Sequence, residues 1–173
     1  MFAIVENNTV TRLLPNGGTF THNDVQYPGN WLTLSTDSER TALGIYPVTY
    51  GSPADQRFYR VTQEPAKFNE ETATVIIAYT ATPIPLADVQ RQETKAVNST
   101  ANVLLSATDW MVVRALDVSD KPIPEIWSAY RAAVRAEATR LTDAVAAATD
   151  TEAVIAVVGT TNWPVAPQAP NFG

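Results

Sequence analysis

The chain has 173 residues, 45% of them hydrophobic and 17% charged, with a net charge of −6. A chain of this length buries roughly two-thirds of its unfolded surface and sustains a core in one domain or two small ones, while its acid excess argues against a phosphate-gripping nucleic-acid surface. With no Cys and a single His, disulfides, thiol nucleophiles and cysteine-ligated metals are excluded. The opening MFAIVENNTV has no basic stretch ahead of a long apolar run, so no secretory signal is expected. No window reaches the ~20 apolar residues of a membrane span. The expectation is a soluble, cytoplasmically made protein with no nucleic-acid or membrane partner.

The first half reads as strands and turns. Phe2 to Val5 and Thr9 to Leu14 flank the turn pair Asn7-Asn8. Pro15-Asn16-Gly17-Gly18 marks a second turn, and Thr19 to Tyr27 mixes polar and aromatic residues up to Pro28-Gly29. Trp31 to Leu34 alternates apolar and polar residues, which predicts a short half-buried strand. Thr36-Asp37-Ser38-Glu39 has the spacing of a capping box and predicts a short helix closed by Gly44. Tyr46 to Tyr50, Phe58 to Gln63 and Thr72 to Thr80 are rich in aromatic and β-branched residues, as strands are. The last has three consecutive apolar residues and is expected to lie centrally in its sheet.

Pro83 and Pro85 end the sheet, since proline donates no ladder hydrogen bond. From Leu86 the period becomes helical, with Val89, Ala96, Val97, Thr100, Val103 and Leu104 predicted on one face. Thr108-Asp109-Trp110 interrupts this helix before a second short one through Leu116, and Pro122 and Pro124 suit the first turn of the next. There Trp127, Tyr130, Val134, Ala138, Leu141 and Val145 form one apolar stripe. Thr149-Asp150-Thr151-Glu152 repeats the capping-box spacing before a last helix ended by Gly159. Three prolines predict an irregular tail from Asn162. The fold class is therefore α+β: a small antiparallel β-rich module over 1–85, a helical hairpin with a short extra helix over 86–160, and a Pro-rich tail over 161–173.

Reactive chemistry finds little footing. His22, with Asn23 and Asp24 beside it, reads as a solvent-facing loop residue; a catalytic triad or metal site would have to be built on it. Asp117 with Asp120, and Glu70 with Glu71, read as solvated or capping carboxylates before they read as acid–base pairs. Gly17-Gly18 lacks the Lys of a phosphate cradle, and Asn98-Ser99-Thr100 matches a glycosylation acceptor inside a predicted helix. No enzyme, metal or cofactor is expected. Trp31 reads as core. Trp110 and Trp127 belong to a hairpin too small to bury both indoles, leaving internal packing and partner docking both open. Arg131, Arg135 and Arg140 beside Glu137 and Asp143 read as a solvated face. The alanine-rich stretch Ala144 to Ala148, with Ala132, Ala133, Ala136 and Ala138, allows close helix approach, from within the chain or from a second copy.

Read together, LLSATDWMVVRALDVSDKPIPEIWSAYRAAVR resembles the C-terminal segment of the tail-fibre assembly proteins of tailed bacteriophages. The matching residues are Leu104, Leu105, Thr108, Asp109, Trp110, Arg114, Pro124, Trp127, Tyr130, Arg131 and Arg135, and Asn162-Trp163-Pro164-Val165-Ala166-Pro167 is similar to that family's Trp-Pro ending. The resemblance covers about a third of the chain. It departs from the pattern in the helical stretch from Arg135 to Thr149, inserted before the Trp-Pro end. It implies a non-enzymatic protein that binds tail-fibre or baseplate subunits, as an assembly chaperone in the host cytoplasm or as an adaptor retained on the virion tail. A purely structural virion component is the alternative, and a glycan-binding module using exposed aromatics a third class. The partner-binding residues so implied are Leu104, Asp109, Trp110, Arg114, Trp127, Tyr130, Arg131 and Trp163.

Overall fold

The computed structural model describes residues 1–118 and 120–168. The chain divides into two compact units, Met1–Thr82 and the part from Pro83 onward. The class is α+β, strand-rich in the first unit and helical in the second.

In the first unit β1 (Phe2–Glu6) and β2 (Thr9–Leu14) form a hairpin. Its two-residue turn puts Asn7 at φ 49° and Asn8 at φ 61°, the left-handed pair that matches strand twist and that Asn tolerates. The same device, Asn23 at φ 49° and Asp24 at φ 60°, joins β3 (Phe20–His22) to β4 (Val25–Tyr27). Trp31–Leu34 is not a strand but a one-turn helix, α1. The Trp31 N–H bonds to the Pro28 carbonyl, and the Asn30 carbonyl accepts from Thr33 and Leu34. The turn begun at Pro28 thus continues into a helix, and Leu34 points to solvent while Leu32 is buried. Helix α2 (Asp37–Ala42) has the complete Thr36–Glu39 capping box. Gly44 follows at φ 67°. A Cβ there would stand 2.8 Å from the Val5 carbonyl oxygen, so only glycine fits.

The strands β5 (Ile45–Tyr50), β6 (Tyr59–Gln63), β7 (Lys67–Asn69), β8 (Thr74–Ile77) and β9 (Tyr79–Pro83) complete the unit. The main sheet runs β2-β1-β5-β8-β7, and β6 pairs with β9 in a separate ribbon. The expected single strand over Thr72 to Thr80 is therefore two, split at Ala78, with β8 interior to the main sheet. Nor is the sheet wholly antiparallel, because β5 and β8 pair in parallel. Residues 51–73 supply the long crossover such a pair requires. Both faces of β1 are covered. Ile4 packs with Leu14, Phe20, Leu32 and Ile45, while Ala3 and Val5 pack with Val75 on the opposite side. Trp31 joins the first cluster edge-on to Tyr27, ring centroids 4.8 Å apart.

The second unit is built on α3 (Leu86–Ser106) and α5 (Glu125–Ala147), with α4 (Asp109–Asp117) and α6 (Thr151–Val158) beside them. The long helices run antiparallel, as two tethers record. Near the start of α3 the Gln90 amide donates to the Val145 and Ala148 carbonyls at 3.1 and 3.0 Å, capping the end of α5. Near the start of α5 the Arg131 guanidinium donates to the Leu105 carbonyl, 2.9 Å away. The α5 stripe is buried as its spacing predicts, Ala138 partly so. The α3 seam differs: it runs Val89, Glu93, Val97, Ala101, and Ala96, Thr100 and Val103 face solvent. The seam positions form one inclined four-residue ridge of the helix, and a glutamate in the seam hides it from a hydrophobicity count. At α6 the cap is Asp150, whose carboxylate accepts from the Ala153 N–H at 2.8 Å, rather than a Thr149–Glu152 box. The tail has no regular structure through Gln168; Pro170, part of the Pro-rich reading, lies outside the described residues.

Candidate protein-binding surface

The residues expected from the sequence to meet a partner sort into two groups. Trp127 is only 7% exposed, and Tyr130 and Arg131 are as deeply buried. The Trp127 and Tyr130 rings meet edge-to-face at 5.9 Å. Ala101, Met111 and Val134 complete the cluster, with Leu104, Leu105, Ile123 and Trp163 partly buried against it. The indole N–H of Trp127 has no hydrogen-bond partner among the described residues, so packing alone holds the ring. Arg131 locks the α3–α4 junction. Besides the Leu105 carbonyl it donates to the Thr108 hydroxyl and to the Asp109 carboxylate, the last at 2.8 Å. Trp127, Tyr130 and Arg131 are thus consumed by the unit's own interior, and Arg131 does not lie on a solvated face.

The other group faces water. On α4, Trp110 is 46%, Val113 65% and Leu116 84% exposed. Asp109 and Asp117 are exposed beside them, and helical geometry places these five positions within about 120° of arc. Ile126, in the first turn of α5, is 62% exposed. Met111 makes the opposite side of α4 its buried one, with Arg114 half-buried between the two. Val113, Leu116 and Ile126 were not singled out by the sequence. The available signal was an α4 apolar on all sides (Trp110, Met111, Val112, Val113, Ala115, Leu116), more than a surface helix needs for one packed face.

Trp163 is positioned by a clip that charge patterning also misread. Glu137 is buried, not solvated. Its carboxylate accepts two bonds from Arg140, at 2.8 and 2.7 Å, and one from the Asn162 N–H at 2.7 Å. Arg140 also donates to the Thr160 carbonyl, 3.0 Å away. The guanidinium of Arg140 holds the Glu137 carboxyl below the usual carboxylate range; burial opposes this and the Asn162 N–H reinforces it. The segment after α6 is thereby strapped along α5, Asn162 and Pro164 facing Ala133 and Ala136.

The remaining candidates do not converge. His22 is half-buried in β3 rather than looped out, its Nε2 3.0 Å from the Leu43 carbonyl oxygen. A carbonyl only accepts, so that nitrogen carries the hydrogen and ties β3 to the end of α2. Glu70 and Glu71 line a crevice of about 610 Å³ with Glu64, Lys67, Phe68 and Ile76. Among the described residues no three His, Asp or Glu side chains are grouped to hold a metal, and no helix is long and apolar enough to cross a membrane. Comparison with protein-family models, curated proteins and solved structures returned no match.

Proposed function

We propose that this is a non-enzymatic tail protein of a tailed bacteriophage that binds tail-fibre subunits, as an assembly chaperone or as an adaptor retained on the tail. The observation that carries the reading is the exposed face of α4, Trp110, Val113 and Leu116, lying inside the segment that resembles tail-fibre assembly proteins. Aromatic anchors ringed by smaller apolar groups dominate protein interfaces. Trp110 is presented on a helix fixed from behind by Arg131 and the Trp127 cluster, so little order need be gained on binding. Fibre chains suit such a partner, because long intertwined β-structures form slowly and expose unpaired edges meanwhile. A protein covering an apolar end until assembly is complete suppresses aggregation.

The test is co-expression with the tail-fibre subunit of the same phage, followed by capture. Leu116→Glu, at the most exposed apolar position of α4, should reduce capture at least about tenfold while leaving the helical fold intact. Equal capture by this variant and the parent would overturn the proposal. Purified particles then separate the two forms: a chaperone is absent from them, a retained adaptor present at fixed stoichiometry.

A further inference from the structure

The exposed α4 face carries information about what it binds. Its apolar positions are bordered by carboxylates: Asp109 and Asp117 on the helix, Asp120 in the following loop and Glu125 at the start of α5, all exposed. From Asp109 to Glu125 the described chain has four acids against two bases, Arg114 and Lys121; with Asp109 ion-paired to Arg131, the rim is Asp117, Asp120 and Glu125 against exposed Lys121 and half-buried Arg114. Val113 and Leu116 are 65% and 84% exposed on this face. The protein as a whole carries −6.

We infer that the α4 face takes a cationic amphipathic segment of another polypeptide, one that lays two or three apolar side chains over Trp110, Val113 and Leu116 and sets Lys or Arg against Asp117, Asp120 and Glu125. This rests on the reading of α4 as the docking surface and adds the chemistry of its occupant. Charge decides between occupants. A second copy would bring its own Asp117 and Asp120 to the same apolar strip, and two chains of −6 repel. An anionic membrane surface is disfavoured for the same reason, since interfacial helices that bind one border their apolar face with Lys and Arg. A basic segment turns the acidic rim from a penalty into steering and register, with the apolar strip supplying the affinity.

The experiment uses the full chain and two synthetic amphipathic helical peptides of identical apolar pattern, one with lysines and one with glutamates on its polar face. Fluorescence anisotropy of labelled peptide reads the binding. The lysine peptide should bind at least about tenfold more tightly than the glutamate peptide and weaken as salt rises. Leu116→Glu should abolish binding, and the double variant Asp117→Lys, Asp120→Lys should reverse the preference. Both substituted carboxylates are exposed, so circular dichroism of this variant should match the parent. Equal binding of the two peptides, binding of neither, concentration-dependent dimerisation lost in Leu116→Glu, or α4-dependent binding to phosphatidylserine vesicles would each overturn the inference. Fibre capture separates the two proposals. Capture lost in Leu116→Glu but unchanged in the charge-reversed variant refutes only the cationic partner; capture unchanged in both refutes the docking surface itself.

Discussion

Arg131 offers the sharpest test of how the helical unit is held together. It is a buried cation whose three acceptors all lie at the α3–α4 junction. Consider Arg131→Met, which keeps an unbranched stem of similar bulk and removes the guanidinium. Two of the lost bonds are to protected acceptors, the Leu105 carbonyl and the buried Thr108 hydroxyl. The third, to Asp109, is on an exposed carboxylate that water re-solvates, so it counts for little. Hydrogen bonds from a charged donor contribute about 1.5–3 kcal/mol each. The Leu105 carbonyl keeps bonds from the Thr108 N–H and hydroxyl, which puts both losses at the low end, and the relief of a buried charge offsets part of the sum. The net expectation is a loss of about 2 kcal/mol. With a urea m-value of ~1–2 kcal/mol/M the midpoint should fall by about 1–2 M, followed through the helical circular dichroism signal. Asp109→Asn should cost well under half as much. A neutral Arg131→Met, or an Asp109→Asn as damaging as it, would refute the argument that the part-buried carbonyl and the buried hydroxyl set the cost.

Three other perturbations have worked expectations. Trp127→Ala empties the centre of the aromatic cluster and should destabilise the helical unit by ~3–5 kcal/mol; thermal unfolding as late as the parent's would contradict its place in the core. Ala73 sits at φ 49°, a left-handed conformation costing an L-residue roughly 1–2 kcal/mol. After the entropy glycine loses on folding, Ala73→Gly should stabilise by about 0.5–1 kcal/mol, and a lower urea midpoint would show the strain is not there. The Glu137 carboxyl is held below its ordinary value by Arg140, so its stabilising contribution is fully present above the unfolded value and lost as pH falls through the folded one. Glu137→Gln should therefore flatten the acid side of the pH–stability curve while lowering stability at neutral pH, and a curve of unchanged shape would count against the clip.

The elements readable from sequence are those governed by local rules. The Thr36–Glu39 box, the Asn7-Asn8 turn and the stripe from Trp127 to Val145 each have their cause within a few residues. The misreadings lie where distant residues decide. Trp31–Leu34 is the exception: four residues satisfy a strand's alternation and a helical turn equally, and the deciding bonds, to the carbonyls of Pro28 and Asn30, are themselves local. The parallel pairing of β5 with β8 depends on how 51–73 crosses over, which no local pattern encodes. Glu93 in the α3 seam, like Glu137 and Arg131 in α5, is an ionisable residue type that is buried; a charge pattern alone reads all three as surface.

The same limit explains why the motif had to be divided by structure. Trp110 and Trp127 are the same residue within one short stretch, yet one is at the surface and the other sealed. What separates them is the demand of the element each belongs to. Trp127 begins a stripe repeated down 23 residues of helix facing α3, so its burial is shared with every later member of that stripe. Trp110 lies on a nine-residue helix whose packing face is already taken by Met111, which leaves Val113 and Leu116 turned to water and Trp110 46% exposed. Covering a side chain as exposed as Leu116 is worth roughly 1.5–3 kcal/mol, and Val113, 65% exposed, leaves a similar gain unrealised. Trp127→Ala would disturb the cluster packed behind α4 and Trp110→Ala the side turned to water, so under the proposed docking neither substitution can stand in for the other in a binding experiment.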